Sequence, residues 1–263
     1  MVKTASSRTI LISAGGTGGH MSPAAALAGD LRARGYQVLI ATDTRGRSYA
    51  DDFGVENLYV VKAGYLGMGV MGKIKGAAKL AAGYFQARRM IRRIKPEAVV
   101  GFGGYPSLPA VLAAQHAGIP TIIHEQNAVL GRANAFLAPK ASRIATSLPS
   151  TAGLDEADAV RAVVTGNPVR AAIAALYTQP YPELRHDGIL HLFVIGGSLG
   201  ARVFSDVVPE ALSALDTAYK NRLYVVQQAR EEDLERTRNA YDKCGIAAEI
   251  QPYFDDVAAR LAA

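Results

Sequence analysis

The chain carries one cysteine, Cys244. A lone thiol excludes an internal disulfide framework and fits a reducing compartment. Long apolar runs are missing as well. The first, Thr9 to Ala14, breaks at once into glycine, too short for a signal peptide. No stretch approaches the roughly 20 apolar residues that a membrane span needs. There is no Walker phosphate loop, no His/Cys cluster with metal-ligand spacing and no low-complexity tract. Acid is absent locally: from Asn57 to Pro96 there is neither Asp nor Glu.

What is present is ordinary globular composition. The 263 residues are 49% hydrophobic and 20% charged, enough for one large or two modest domains. The net charge of +6 and the sequence pI of about 9.4 favour anionic partners: a nucleotide, a nucleic acid or an anionic membrane surface. The charge is concentrated in the acid-free stretch. Lys62, Lys73, Lys75, Lys79, Arg88, Arg89, Arg92, Arg93 and Lys95 alternate there with Leu66, Met68, Val70, Met71, Ile74, Leu80, Tyr84, Phe85, Met90 and Ile91. Such a basic, apolar segment either lies on an anionic lipid surface or is a solvated helix with an ordinary buried stripe.

Apolar runs predict strands at Thr9–Ser13, Tyr36–Ala41, Asn57–Val61, Glu97–Gly101, Pro120–His124, Ser142–Ala145 and Val163–Thr165. Helices are expected over Pro23–Arg34, closed by Gly35, over Gly72–Lys95 ahead of Pro96, and over Ser107–Gly118. The pattern then restarts: strand His191–Ile195, glycine loop, helix Arg202–Leu215, strand Arg222–Gln227, helix Glu231–Cys244 and a further strand from Ala248. Alternating strands and helices predict an α/β fold with mainly parallel sheets. Two strand–glycine-loop–helix openings predict two Rossmann-like, doubly wound domains. The junction is expected near Gly166, giving domains 1–165 and 166–263. The second is expected to be incomplete, since a doubly wound domain usually needs about 100–150 residues and the chain stops in a helical pattern, "DDVAARLAA".

Three glycine loops follow apolar strands: Gly15–His20 (GGTGGH), Gly101–Pro109 (GFGGYPSLP) and Gly196–Arg202 (GGSLGAR). Glycine lets backbone approach an anion, and the following helix offers free N–H groups and a positive dipole end. A dinucleotide fingerprint G-x-G-x-x-G begun at Gly16 fails at Met21, although Asp43 sits roughly where a ribose-binding acid would lie. A nicotinamide (NAD(P)) oxidoreductase therefore stays an alternative. Gly196–Gly200 fits G-x-S-x-G, but all five histidines precede Ser198, the wrong order for a hydrolase elbow. Ser198 is better read as a phosphate ligand at a helix start.

GGTGGH at Gly15–His20, GFGGYPS at Gly101–Ser107, HEQN at His124–Asn127, GNPVR at Gly166–Arg170 and GGSLGAR at Gly196–Arg202 occur in one order and spacing. Together, over essentially the whole chain, they resemble the MurG family, the peripheral membrane N-acetylglucosaminyltransferases of peptidoglycan synthesis. The resemblance implies a GT-B fold, with the lipid acceptor (lipid I, undecaprenyl-diphospho-N-acetylmuramoyl-pentapeptide) on the first domain and UDP-N-acetylglucosamine (UDP-GlcNAc) on the second. It implies inverting transfer to the 4-hydroxyl, giving lipid II with a β-1,4 linkage, and no metal or cofactor. Carried over by motif, the donor-site residues are Thr17, Gly18, Gly19, Asn127, Arg170 and Ser198, with Phe254 beside the uracil. Tyr105 and Ser107 are expected to help bind the acceptor diphosphate. N–H groups of Gly197–Gly200 and Arg170 could stabilise the departing UDP without a metal.

His20 is the candidate base, since a loop imidazole suits proton transfer near neutral pH. Its other reading is a histidine that hydrogen-bonds sugar or phosphate. Glu125 is the second candidate; its other reading is a structural carboxylate that orients the HEQN loop. His116, His186 and His191 are expected to be structural or at the surface. Leu66–Lys95 is expected to dock on an anionic membrane, at the cytoplasmic face of the bacterial inner membrane. The resemblance implies no nucleic-acid partner, cell-wall synthesis proteins as partners, and roles in cell-wall biogenesis, cell shape and division. Because family members continue further, weak or no transfer is expected from this chain alone, and a non-catalytic lipid- or partner-binding remnant is the remaining alternative.

Overall fold

The computed structural model describes residues 8–16, 18–49, 53, 58–64, 69–181, 183, 185–197 and 200–263. Thr17 and Ser198 among the expected ligands, and Leu66 and Met68 in the basic stretch, lie outside the described residues. The chain divides into two compact units, Met1–Arg170 and Ala171–Ala263.

The first unit is built on a parallel sheet of β1 (Thr9–Ser13), β2 (Gln37–Thr42), β3 (Leu58–Val60), β4 (Ala98–Gly101), β5 (Thr121–Glu125), β6 (Arg143–Thr146) and β7 (Ala162–Val164). Their order is β3-β2-β1-β4-β5-β6-β7, and every neighbouring pair runs parallel. Near-continuous apolar strands such as TILIS and QVLIAT suit a sheet covered on both faces. Alternation sorts them. Leu11, Val99, Ile123 and Ile144 point to one side, where Ala87 and Ile91 of helix α2 (Gly69–Ile94) and Val111 and Ala114 of α3 (Leu108–His116) meet them. Ile12, Ile40, Val100 and Phe102 point to the other, against Met21, Ala24 and Ala28 of α1 (Gly18–Ala33). The order reverses between β1 and β4, whose last residues, Ser13 and Gly101, pair directly. A crevice opens at such a switch point, outside the carboxyl ends of the strands.

Two helix boundaries differ from the sequence reading in informative ways. Helix α1 begins at Gly18, with Pro23 inside it, so Gly18, Gly19 and His20 form its first turn rather than a loop. Proline is a helix-start signal because it lacks an N–H. Here the fully buried Met21 and Ala24 on either side of Pro23, packed on the sheet, extend the helix past that signal. Helix α2 begins three residues earlier than expected, at Gly69. It ends at Ile94, and Lys95 (φ 51°) turns the chain before Pro96, whose ring disfavours α geometry in the preceding residue.

Helix α2 has two apolar faces. Ala87 and Ile91 are buried, with Tyr84, Met90 and Ile94 packed beside them. Met71, Ile74 and Phe85, at helical spacing on the opposite side, are 65%, 57% and 64% exposed. Lys73, Lys75, Lys79, Arg88, Arg89, Arg92 and Arg93 are exposed along the same helix, and Phe85 shares a surface depression with Arg88, Arg89 and Arg92. Among the described residues no helix is long and apolar enough to cross a membrane.

The second unit has a three-stranded parallel sheet, β10-β9-β8, of β8 (Leu190–Val194), β9 (Leu223–Gln228) and β10 (Ala247–Gln251). Helix α5 (Arg202–Ser213) follows β8, and α6 (Leu234–Cys244) follows β9 and closes on Gly245 in the left-handed conformation. Val225, Ala229, Tyr241, Ile246 and Ile250 form its core, with Leu192, Val208 and Leu212 packed against them.

Candidate active site

In the first unit the glycine loops meet as bare backbone. A Cβ on Gly15 would lie 2.5 Å from Pro106 Cβ and 3.2 Å from Asp43 Oδ1. A Cβ on Gly104, at φ 72°, would lie 3.0 Å from the carbonyl oxygen of Gly15 and 3.3 Å from His20 Cδ2. Only glycine allows the loops after β1 and β4 to close this far, and only glycine holds that φ without strain. The His20 ring is thereby seated against Gly103 and Gly104. A cavity of ≈ 380 Å³ opens beside it, lined by His20, Gly103, Gly104, Tyr105, Glu125, Asn127 and the start of α4 (Arg132–Leu137), including Asn134.

A chain of hydrogen bonds runs behind the histidine. His20 Nδ1 lies 3.0 Å from Gln126 Oε1. Gln126 Nε2 faces three acceptors, the carbonyls of Phe102 (3.1 Å) and His124 (3.2 Å) and His124 Nδ1 (2.9 Å), and shares its two N–H groups among them. His124 Nε2 reaches the carbonyl of Gly166 at 3.1 Å. The His124 ring is buried and packs on Phe102, centroids 5.1 Å apart. Burial lowers its pKa below the ordinary 6.5, outweighing the Gly166 hydrogen bond and the Glu125 charge, which raise it. His124 is therefore held neutral.

Glu125 points to the opposite side of β5 and is 1% exposed. Its Oε1 accepts from Asn127 N–H (3.0 Å) and Asn127 Nδ2 (2.9 Å), its Oε2 from Gly131 N–H (2.9 Å) and Asn134 Nδ2 (2.8 Å). Burial pushes its pKa up, but the hydrogen bonds from Gly131, Asn134 and Asn127 together hold it below the ordinary 4.5. A carboxylate so engaged stays ionised and shapes the turn that follows β5.

The other expected residues are placed as follows. Gly18 is buried and Gly19 exposed on the first turn of α1. Tyr105 is half-buried on the cavity wall. Ser107 is fully buried and donates its hydroxyl to the Gly104 carbonyl at 2.9 Å, so it braces the loop and does not face the cavity. Asn127 and Arg170 are exposed. Sequence reasoning gave no role to His124, Gln126 or Asn134. The period-two alternation of a strand, carried one residue past β5, sets His124 and Gln126 on one face and Glu125 on the other, a signal present in HEQN. Nothing in the sequence marks Asn134.

In the second unit, Gly196 donates its N–H to Gln228 Oε1 (3.1 Å), and Gln228 Nε2 donates to the Pro252 carbonyl (3.1 Å). This ties the loop after β8 to the chain after β10. Helix α5 then begins at Arg202 without a side-chain cap, leaving first-turn N–H groups for an anion. The Phe254 ring is 3% exposed, edge-on to Phe193 at 5.4 Å, with the Arg260 guanidinium 4.4 Å from its centroid. It is packed between these two groups.

Asp43, the acid of the dinucleotide alternative, is also turned inward. Its Oδ1 accepts Gly46 N–H and its Oδ2 pairs with Arg45 Nε, both at 3.0 Å. It is not presented to a ribose.

Two successive parallel α/β units, each opening on strand, glycine loop and helix, give the chain a GT-B architecture. Residues 10–146 match the glycosyltransferase family 28 N-terminal domain, and residues 191–263 match its C-terminal domain. The chain belongs to glycosyltransferase family 28. It is 47% identical over 253 residues to the UDP-N-acetylglucosamine–N-acetylmuramyl-(pentapeptide) pyrophosphoryl-undecaprenol N-acetylglucosamine transferase of Rhodospirillum centenum, covering 96% of this chain and 67% of that protein. It is 50% identical over 255 residues to the protein of the same name from Sinorhizobium fredii, again 96% and 67%. The crystal structure of Acinetobacter baumannii MurG superposes with a TM-score of 0.69 at 30% identity, covering 97% of this chain and 68% of that one.

Proposed function

We propose that this chain is an inverting UDP-GlcNAc-dependent transferase that adds N-acetylglucosamine to the 4-hydroxyl of N-acetylmuramyl-(pentapeptide) pyrophosphoryl-undecaprenol, a step of peptidoglycan synthesis. The observation that carries the reading is His20. In a chain half identical to transferases of that name, it stands at a helix start, beside bare backbone, on the wall of a cavity.

Residues 1–165 hold the acceptor and 166–263 the donor. His20 takes the proton of the acceptor hydroxyl as that oxygen attacks C1 of the donor sugar, and the C1–O bond to UDP breaks with its electrons. Tyr105 and the glycine backbone of the cavity, with Thr17, Gly18 and Gly19, contact the substrates, and Asn127 presents its exposed edge to them. Ser107 and Glu125 act through the loops they brace. Arg170, Ser198 and the uncapped start of α5 stabilise the departing diphosphate. Phe254 lies beside the uracil.

The exposed apolar stripe of α2, flanked by Arg88, Arg89 and Arg92, supports docking on an anionic lipid surface, which would bring the chain to an acceptor with a lipid tail. That surface is the cytoplasmic face of a bacterial inner membrane, where cell-wall synthesis proteins are partners and the product serves cell shape and division.

The test is transfer of labelled N-acetylglucosamine from UDP-GlcNAc to a lipid I analogue, for the chain, whose own turnover is expected to be weak, and for His20→Ala, each also measured in a chain continued to the length of its relatives. Transfer that falls by about 10²–10⁴-fold in the variant is the expected result. Equal turnover by both rejects His20 as the base.

A further inference from the structure

A base must present a lone pair, and imidazole has two nitrogens that could carry the proton. We infer that Gln126 is a positioning residue that fixes His20 in its Nδ1–H tautomer and so keeps Nε2 unprotonated toward the acceptor hydroxyl. The inference deepens the proposed function and rests on His20 being its base.

The geometry leaves little choice of proton positions. The Gln126 amide nitrogen lies 3.1 Å from the Phe102 carbonyl and 3.2 Å from the His124 carbonyl. Carbonyl oxygens only accept, so the NH2 end of the amide must face them; a flipped amide would set oxygen against oxygen twice. The other end, Oε1, therefore faces His20 Nδ1 at 3.0 Å, and an amide oxygen also only accepts. His20 Nδ1 must carry the proton.

His124 locks the far side. Its Nε2 is 3.1 Å from the Gly166 carbonyl and must donate, which leaves Nδ1 to accept from Gln126 Nε2 at 2.9 Å. A second proton on His124 would point at the amide NH2, and the buried, neutral ring does not carry one. Donors and acceptors thus run in one direction from Gln126 outward.

The free nitrogen is also placed. His20 lines the cavity, and among the described residues none hydrogen-bonds its Nε2. In the reaction Nε2 accepts the hydroxyl proton, the oxygen forms its bond to the sugar carbon, and the bond to UDP breaks with the electron pair leaving on the diphosphate. Gln126 then accepts a hydrogen bond from the imidazolium it has oriented, as a carboxylate does in better-charged relays. Without Gln126 the ring is free to put its proton on Nε2, where it would meet the hydroxyl as a donor.

The experiment reads the tautomer directly. The full chain, with nitrogen-15 histidine, is examined by long-range proton–nitrogen NMR, and His20 is assigned by its loss in His20→Ala. The expected result is a protonated Nδ1 in the wild type and a shift to protonated Nε2 in Gln126→Met. Transfer by Gln126→Met should lose kcat on the order of 10–100-fold, part of what general-base catalysis supplies, with KM for both substrates nearly unchanged.

Protonated Nε2 in the wild type, or an unchanged tautomer in Gln126→Met, overturns the inference. If Gln126→Met does not fold, the tautomer read in the wild type still decides it. If the tautomer behaves as expected while His20→Ala retains full transfer, the base reading fails and Gln126's catalytic part fails with it. A raised KM with unchanged kcat in Gln126→Met would likewise make it a binding residue and reject the positioning role.

Discussion

Asn134 donates its side-chain amide to two adjacent residues at the end of β5: to Glu125 Oε2 at 2.8 Å and to the carbonyl of His124 at 3.1 Å. The bond pins the start of α4 to the end of β5, and the cavity wall is the turn between them. Glu125→Gln would set an NH2 group against donors that now meet a carboxylate. It should destabilise the first unit by about 1.5–3 kcal/mol, the range for a hydrogen bond to a charged group. Urea unfolding followed by circular dichroism measures this, and Asn134→Ala should act in the same direction. A Glu125→Gln chain as stable as the wild type would contradict the structural reading of the carboxylate.

Acid should weaken the fold in two stages. Burial lowers the pKa of His124 below 6.5 in the folded chain, despite the opposing Gly166 hydrogen bond and Glu125 charge. The unfolded chain therefore binds a proton that the folded chain refuses. Stability is full above pH 6.5 and declines as pH falls through it toward the folded value. Glu125 adds a second loss at lower pH. Burial raises its pKa but its hydrogen bonds hold it below 4.5, so its contribution is present above 4.5 and disappears as pH falls through the folded value. Unfolding free energies measured from neutral to acid conditions should show both declines, and a His124→Gln chain should lack the first.

Gly104→Ala tests the bare loop contact. The added carbon would lie 3.0 Å from the Gly15 carbonyl and 3.3 Å from His20 Cδ2, on a backbone at φ 72°. The left-handed conformation alone costs about 1–2 kcal/mol for a residue with a side chain. Stability should fall by that much, and transfer should fall further because the imidazole is displaced. Kinetics and thermal unfolding on the same preparation separate the two effects.

The outer face of α2 should control lipid binding without affecting folding. Reversing Arg88, Arg89 and Arg92 to Glu should abolish flotation with anionic vesicles, at about 1 kcal/mol per cation near the surface. Phe85→Ser, at a side chain 64% exposed, should weaken flotation while leaving the unfolding midpoint in place. Flotation that ignores both the substitutions and the anionic lipid content would reject the docking surface.

Much of the fold was legible because parallel strands buried on both faces are nearly continuous apolar runs, as β1, β2 and β4 show. The start of α1 was misplaced because Pro23 is a punctuation mark in sequence, and only packing of Met21 and Ala24 on the sheet outweighs it. The site was half legible. The glycine loops and His20 announce themselves by composition and by motif. The direction of a side chain does not: Ser107 carries the right chemistry for a ligand and is turned into the protein. Asn134 was invisible because its role arises from the closure of the turn after β5, nine residues from the carboxylate it holds.

The approach of Gly15 to Pro106 and of Gly104 to the Gly15 carbonyl makes one lip of the crevice almost entirely main chain. Such a surface has no side-chain alphabet. Substitution there can break it but cannot rewrite it, so its recognition is confined to what every phosphate or sugar oxygen shares. Any change of substrate preference in this unit has to be written in the residues standing beside the lip, Tyr105, Asn127 and Arg132, where side chains still reach the cavity.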